Sequence, residues 1–252
     1  MKKRIWLALS GWWARWFAHI WVYQALIEEG YEIVAISGCS MWSLVAMMIS
    51  LGKSPLQIVE LYNKINIPFL PKNIWTSGIV LDKYSKKLRE ELWDINFDNL
   101  KIPLYVSCTN LNIGQNVIFS EGNLKDIINA SMALPMVADP VIINWQTYID
   151  GGITDNLPAQ ILRQNHEELD LVIWVDVNYY RTTNKLEFDK KTVLMRSIAI
   201  MFGKNDLVSK KFCDIYICPE QLAYFDIFNF DKINEIVDIW YQEAKKILSK
   251  IV

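Results

Sequence analysis

Glycine is scarce in this chain: ten residues of 252, roughly 4% against an average near 7%. Few positions are left where the backbone can turn left-handed or be approached closely at no steric cost. Histidine is scarcer still, with only His19 and His166. That restricts any zinc site and any serine–histidine–aspartate triad, and favours chemistry that needs no histidine. The four cysteines, Cys39, Cys108, Cys213 and Cys218, show no paired metal spacing and are too few to build a disulfide framework at this length. Reduced, mostly buried thiols are expected, with no metal and no cofactor. A basic excess is missing too. The formal net charge is −2 and the pI near 5.8, so a nucleic-acid partner has little electrostatic support. Repeats, low-complexity tracts and linkers are absent, and a single domain over residues 1–252 is expected.

What is abundant is apolar: 52% of residues are hydrophobic and 11 are tryptophan, enough for one sizeable core. Met1 to Arg4 is basic and Ile5 to Trp13 apolar, which mimics a signal peptide. Arg15 interrupts the run at a cost of roughly 2.5–3.5 kcal/mol for a membrane span. The better parse is a buried strand, Arg4 to Ala8, then a loop and a helix ending near Gly30, in a cytoplasmic protein. A second strand at Ile33 to Ile36 leads through Ser37-Gly38-Cys39-Ser40 into a helix that stops near Gly52. Ser54-Pro55 opens another helix through Ile65. Residues 67–77 read as loop and 82–92 as helix. Strands follow at Leu104 to Thr109 and Val117 to Ser120, then a helix capped by Asn123. Val141 to Ile143 and Thr147 to Ile149 flank a turn at Asn144-Trp145, where Asn-Gly is usual. A helix from Pro158, a strand at Leu171 to Val177, a helix from Thr192 to Phe202, a strand at Ile215 to Cys218 and a final helix from Lys232 complete the chain. Alternating strands and helices predict an α/β three-layer sandwich with a mainly parallel central sheet.

The strand–Gly38-Cys39-Ser40-Met41-Trp42–helix segment has the context of a nucleophile elbow, a tight turn that lifts a serine hydroxyl out of the sheet. Alone, such a serine is more often a helix cap. Three further segments stand in order around it: Ser10-Gly11-Trp12-Trp13-Ala14-Arg15-Trp16, Ala130-Ser131-Met132-Ala133-Leu134-Pro135 and Asp150-Gly151-Gly152. Together they resemble the patatin-like phospholipase family, from Arg4 through about residue 178. The resemblance implies a patatin-like fold and a lipid acyl hydrolase acting on a lipid or ester substrate at a membrane surface. It implies Ser40 as nucleophile, Asp150 as its base, and the loop Gly11, Trp12, Trp13, Ala14 and Arg15 as oxyanion donors. His19 is then a packed structural residue and His166 a surface one. Lipid class and oligomeric state are not legible.

The sequence also departs from that family. Its loop pattern is glycine-rich, yet only Gly11 stands here, and Trp12, Trp13 and Trp16 occupy the other glycine positions. Trp42 replaces the last elbow glycine. Trp6 and Trp21 also sit where relatives usually carry glycine, and Trp93, Trp145 and Trp174 look similar. Returning these to glycine brings its share close to the average. The expectation is systematic replacement of glycine by tryptophan, with catalysis strongly impaired and overpacking of about 1–3 kcal/mol per buried site. A tryptophan-rich natural variant with a reshaped pocket is the competing reading. A non-catalytic lipid-binding or membrane-surface protein is the competing function.

Overall fold

The structure is a computed structural model that describes residues 3–11, 17–65, 95–135, 137–165, 171–177, 187–219 and 233–251. The expected loop at 67–77 and helix at 82–92 lie outside the described residues, as do Trp12, Trp13, Ala14, Arg15, Trp16, Trp93 and His166. The elements, in order, are β1 (Lys3–Leu9), α1 (Phe17–Glu28), β2 (Tyr31–Cys39), α2 (Met41–Ser50), α3 (Pro55–Ile65), β3 (Leu104–Asn110), β4 (Gln115–Phe119), α4 (Leu124–Ser131), β5 (Val141–Ile143), β6 (Gln146–Asp150), α5 (Gln160–Asn165), β7 (Leu171–Val175), α6 (Lys190–Ser209), β8 (Ile215–Ile217) and α7 (Ile233–Leu248).

Strands β3, β2, β1, β7 and β8 lie side by side and parallel, while β4 and β6 run antiparallel to β3. Side-chain alternation along β1 shows why helices cover both faces. Ile5, Leu7 and Leu9 join one apolar cluster with residues of α1, α2, α4, α6 and α7. Trp6 and Ala8 join a second cluster with Leu162 of α5 and Trp174 of β7. Both faces are buried, as a parallel sheet requires, and the result is the mainly parallel α/β layer architecture expected from the sequence.

One feature of the register positions the site. β2 pairs with β3 from Leu104 to Ser107, and β6 pairs with β3 from Cys108 to Asn110. β4 pairs with residues 106–110 of the same strand, so it holds the opposite edge, because each residue has one partner per side. β2 and β6 therefore share one edge of β3 and abut end to end. Cys39 faces Ser107 and Asp150 faces Cys108. The last residues of two strands separated by over a hundred positions are thus brought together.

One expectation needs correction. The helix read as Thr192 to Phe202 runs from Lys190 to Ser209, straight through Gly203. Asp189 caps its start by accepting from Thr192 N at 2.7 Å, and Asn205 beyond the glycine bonds Gly152 O and Ile153 O at 3.2 and 3.1 Å. Tertiary hydrogen bonds hold the helix past Gly203, where local propensity is weak. β6 is an interior strand, since it pairs with both β3 and β5. The Asn144-Trp145 turn between β5 and β6 has φ 50 and 63 at its two residues, the positive pair of a tight hairpin turn.

Candidate active site

β2 ends at Cys39, and Ser40 makes the corner before α2. Its backbone sits at φ 56 and ψ −139, a region that glycine favours and that costs a serine about 1–3 kcal/mol. The surroundings hold it there. Ser40 N donates to Ser131 Oγ at 2.9 Å, Ser131 Oγ donates to Ser107 O at 2.7 Å, and Ser43 Oγ donates to Ser40 O at 2.6 Å. Gly38 makes the corner possible: a Cβ on it would stand 2.9 Å from Trp42 O and 3.0 Å from Ser43 Cα. α2 therefore lies directly on the strand, with residues 42–50 all buried.

Asp150 arrives at the end of β6, anchored by its N–H to Ala133 O at 3.0 Å. Ser40 Oγ donates to Asp150 Oδ2 at 2.6 Å, and Gly152 N donates to Asp150 Oδ1 at 2.9 Å. The carboxylate is fully buried and Ser40 is 4% exposed. Burial pushes the Asp150 carboxyl up from 3.8 to about 6, opposed by hydrogen bonds from Ser40, Gly152 and Cys39. At neutral pH it is an ionised acceptor short of water, which is the state a proton-abstracting base needs. Gly151 admits no side chain, since a Cβ there would lie 2.3 Å from Ser107 O.

Of the expected oxyanion loop, Gly11 is the described member. A Cβ on it would stand 3.2 Å from Ser40 Cβ and 2.4 Å from Asn156 Oδ1, so glycine lets β1 end against the serine. Gly11 N donates to Asn156 O at 3.1 Å and is thus already occupied. Asn156 is held in turn, its Nδ2 donating to Asp206 Oδ1 and Oδ2 at 2.9 and 3.0 Å. Beside it Asp155 is pushed up to about 7 by burial, against hydrogen bonds from Ser209 and Leu157. The Cys39 thiol is also raised by burial and is an inert neighbour.

His19 is buried, with Nε2 3.4 Å from Ser10 O and its ring edge-on to Trp42 at 4.1 Å between centroids. Burial drives it down to about 3, against the Ser10 hydrogen bond, so it is neutral at physiological pH. Trp42 is wholly buried in the first turn of α2. Among the described residues its Nε1–H and that of Trp174 have no hydrogen-bond partner. Trp6 is buried at a register shift in the β1–β2 pairing, and Trp145 is 94% exposed at its hairpin tip.

Sequence reasoning placed Ser40, Asp150, Gly11 and Gly38 where the structure brings them together. It did not find Ser131 as the buttress of Ser40, although the segment containing it was conspicuous. The Asn156–Asp206 pair, fifty residues apart, has no local signal.

An α/β sheet with a serine on a strand-to-helix corner, faced by a buried carboxylate, defines a hydrolase-like scaffold. The comparisons with known proteins agree. A family model for patatin-like phospholipase matches residues 7–163, and the chain belongs to that family. An uncharacterized NTE family protein of Mycobacterium tuberculosis is 35% identical over 182 residues, which is 70% of this chain and 50% of that protein. The lysophospholipase NTE1 of Cryptococcus neoformans is 26% identical over 200 residues, 74% of this chain and 12% of that protein. The chain therefore spans half or less of the length of these curated relatives. In fold it is similar to VipD from Legionella pneumophila, with TM-score 0.55 and 13% identity over 98% of this chain and 67% of that one. Among the described residues no helix is long and apolar enough to cross a membrane.

Proposed function

We propose that the chain is built as a lipid acyl hydrolase with a Ser40–Asp150 dyad, and that tryptophans around the site suppress its turnover. The observation that carries the first half is the 2.6 Å hydrogen bond from Ser40 Oγ to Asp150 Oδ2, made between groups almost closed to water. Asp150 takes the hydroxyl proton as Ser40 attacks an ester carbonyl. The tetrahedral oxyanion collapses to an acyl-Ser40, and the alcohol leaves with the proton from Asp150. Water, deprotonated by the same carboxylate, then releases the fatty acid. No step needs histidine, and His19 is spared for packing. The positive end of α2 favours the developing charge. Gly11 N–H is bound to Asn156, and the oxyanion donors of this reading are the loop that follows, Trp12 to Arg15, together with the N–H of Met41 after the nucleophile. A phospholipid or lysophospholipid ester fits the relatives' chemistry best.

The second half rests on how the described tryptophans sit. Buried indole N–H groups ordinarily have a partner, and leaving one without costs about 1–3 kcal/mol. Trp42 and Trp174 carry such groups, as Trp240 in α7 does, and Trp42 stands in the first turn after the serine corner. Trp145 has φ 63 at a turn position where glycine is usual.

The test restores glycine through Trp12→Gly, Trp13→Gly, Trp16→Gly and Trp42→Gly together, and compares short-ester hydrolysis, fluorophosphonate labelling and melting with the present chain. Each recovered oxyanion donor is worth on the order of 10²–10³ in rate, and the gain disappears in Ser40→Ala. Unchanged turnover and melting would refute the role given to the tryptophans. Labelling that survives Ser40→Ala would refute the dyad.

A further inference from the structure

α6 is apolar on two opposite sides. One side, with Ile198, Ala199 and Phe202, is buried in the core. The other carries Val193, Ile200 and Leu207, each seven residues after the last and so on one face, with Leu194 and Val208 beside them. These five are between 41% and 64% exposed, far from the single scattered apolar residues that any surface shows. Lys204 stands on the same face, one turn from both Ile200 and Leu207.

The charge of this segment is unlike that of the chain. From Asp189 to Lys211 there are six basic residues, Lys190, Lys191, Arg196, Lys204, Lys210 and Lys211, against two acidic ones, in a protein of net charge −2. Asp206 is buried against Asn156 and Asp189 caps the start of the helix, and the segment keeps a net positive charge. Lys190, Lys204 and Lys211 are exposed, while Lys210, also exposed, sets its ammonium over the Tyr216 ring at 4.5 Å.

We infer that the outward face of α6 is the surface by which the protein lies on an anionic lipid bilayer, Val193, Ile200 and Leu207 entering the acyl boundary and the lysines meeting lipid phosphates. Apolar residues with cationic companions are the pattern of a helix lying in the interface plane. A second copy of the chain fits less well, because a two-fold contact sets Lys204 and its basic neighbours against themselves.

The face is also coupled to the site. Asn205 bonds the carbonyls of Gly152 and Ile153, Phe202 closes on Gly152, and Asp206 holds Asn156, which binds Gly11. The Asp150 turn is thus fixed to the inner side of the helix, about one helix diameter, 10 Å, from the lipid. Such helices sink about 5–10 Å, which brings the ester level of the lipid towards the site. This placement rests on the lipid-hydrolase reading for its purpose, while the binding itself can be measured without turnover.

The experiment is co-sedimentation of the full chain with vesicles of phosphatidylcholine alone and of phosphatidylcholine with phosphatidylglycerol. The protein is expected to pellet with the anionic vesicles, less so as sodium chloride is raised, and equally well as Ser40→Ala. Lys204→Glu is expected to weaken binding by about fivefold or more, since each basic residue near a charged surface contributes about that factor. Ile200→Glu with Leu207→Glu is expected to weaken it at least about tenfold, with circular dichroism and melting unchanged. No sedimentation of the parent, or sedimentation indifferent to salt and to Lys204→Glu, would overturn the inference. So would binding lost through Ile142→Ser with Trp145→Ser at the hairpin tip instead, or a dimer in solution that the α6 double variant dissociates. Vesicle binding that persists while fluorophosphonate fails to label Ser40 in the glycine-restored chain would count against the dyad alone.

Discussion

Asp150→Asn is expected to destroy catalysis and at the same time stabilise the fold above pH 6. Asparagine keeps the size of the carboxylate and an oxygen for the Gly152 N–H, which now donates at 2.9 Å. Facing Ser40 Oγ, which stands 2.6 Å from Oδ2, it presents an amide that only donates, so the serine loses its base. In the glycine-restored chain the rate is expected to fall by about 10²–10⁴, the range of general-base contributions. The stability effect has the opposite sign. Burial raises the Asp150 carboxyl from 3.8 to about 6, so between those values the folded state binds more protons than the unfolded one, and stability falls as pH rises through that window. A displacement of that size corresponds to on the order of 3 kcal/mol once the group is ionised in both states. Asparagine has no charge to bury and escapes it. At pH 8 the variant is expected to melt roughly 6–12 °C above its parent, given about 2–4 °C per kcal/mol in a chain of this size. The difference shrinks to nothing by about pH 4. Thermal melts of both proteins, followed by circular dichroism from pH 4 to 8, give the result directly. Parallel curves across that range, or a variant that melts lower at pH 8, would refute the reasoning.

Ser131→Ala leaves the buried Ser40 N–H without the oxygen it now reaches at 2.9 Å. A loss of about 1–3 kcal/mol in urea unfolding is expected, with kcat of the glycine-restored chain lowered more than KM is raised. Gly151→Ala forces a Cβ to within 2.3 Å of the Ser107 carbonyl, and a loss of about 3 kcal/mol or more is expected in the same assay. His19 is held at about 3 in the fold against an ordinary 6.5, chiefly by burial. The unfolded chain therefore takes up the proton first, and stability is lost as pH falls from 6.5 towards 3. His19→Gln is expected to flatten that decline in the urea midpoint, and an acid limb as steep as the parent's would count against it.

The layered α/β plan was legible because each strand buries both faces. Runs such as Ile5-Trp6-Leu7-Ala8-Leu9 and Leu171 to Val175 therefore read as apolar throughout rather than alternating. The serine corner was legible because strand, Gly38, Ser40 and an apolar helix follow one another directly in the chain. The far end of α6 was not. Local propensity is weak at Gly203, and the bonds that carry the helix past it come from a turn about fifty residues earlier.

The sequence by itself determined the order of the described strands and helices and which serine stands at the corner, since these depend on local periodicity and local backbone freedom. Only the tertiary structure decided that β2 and β6 share one edge of β3, and so that Asp150 meets Ser40 at hydrogen-bond distance in a place closed to water. Strand pairing depends on partners far apart in the chain, and the proton affinity of a carboxyl depends on everything packed around it.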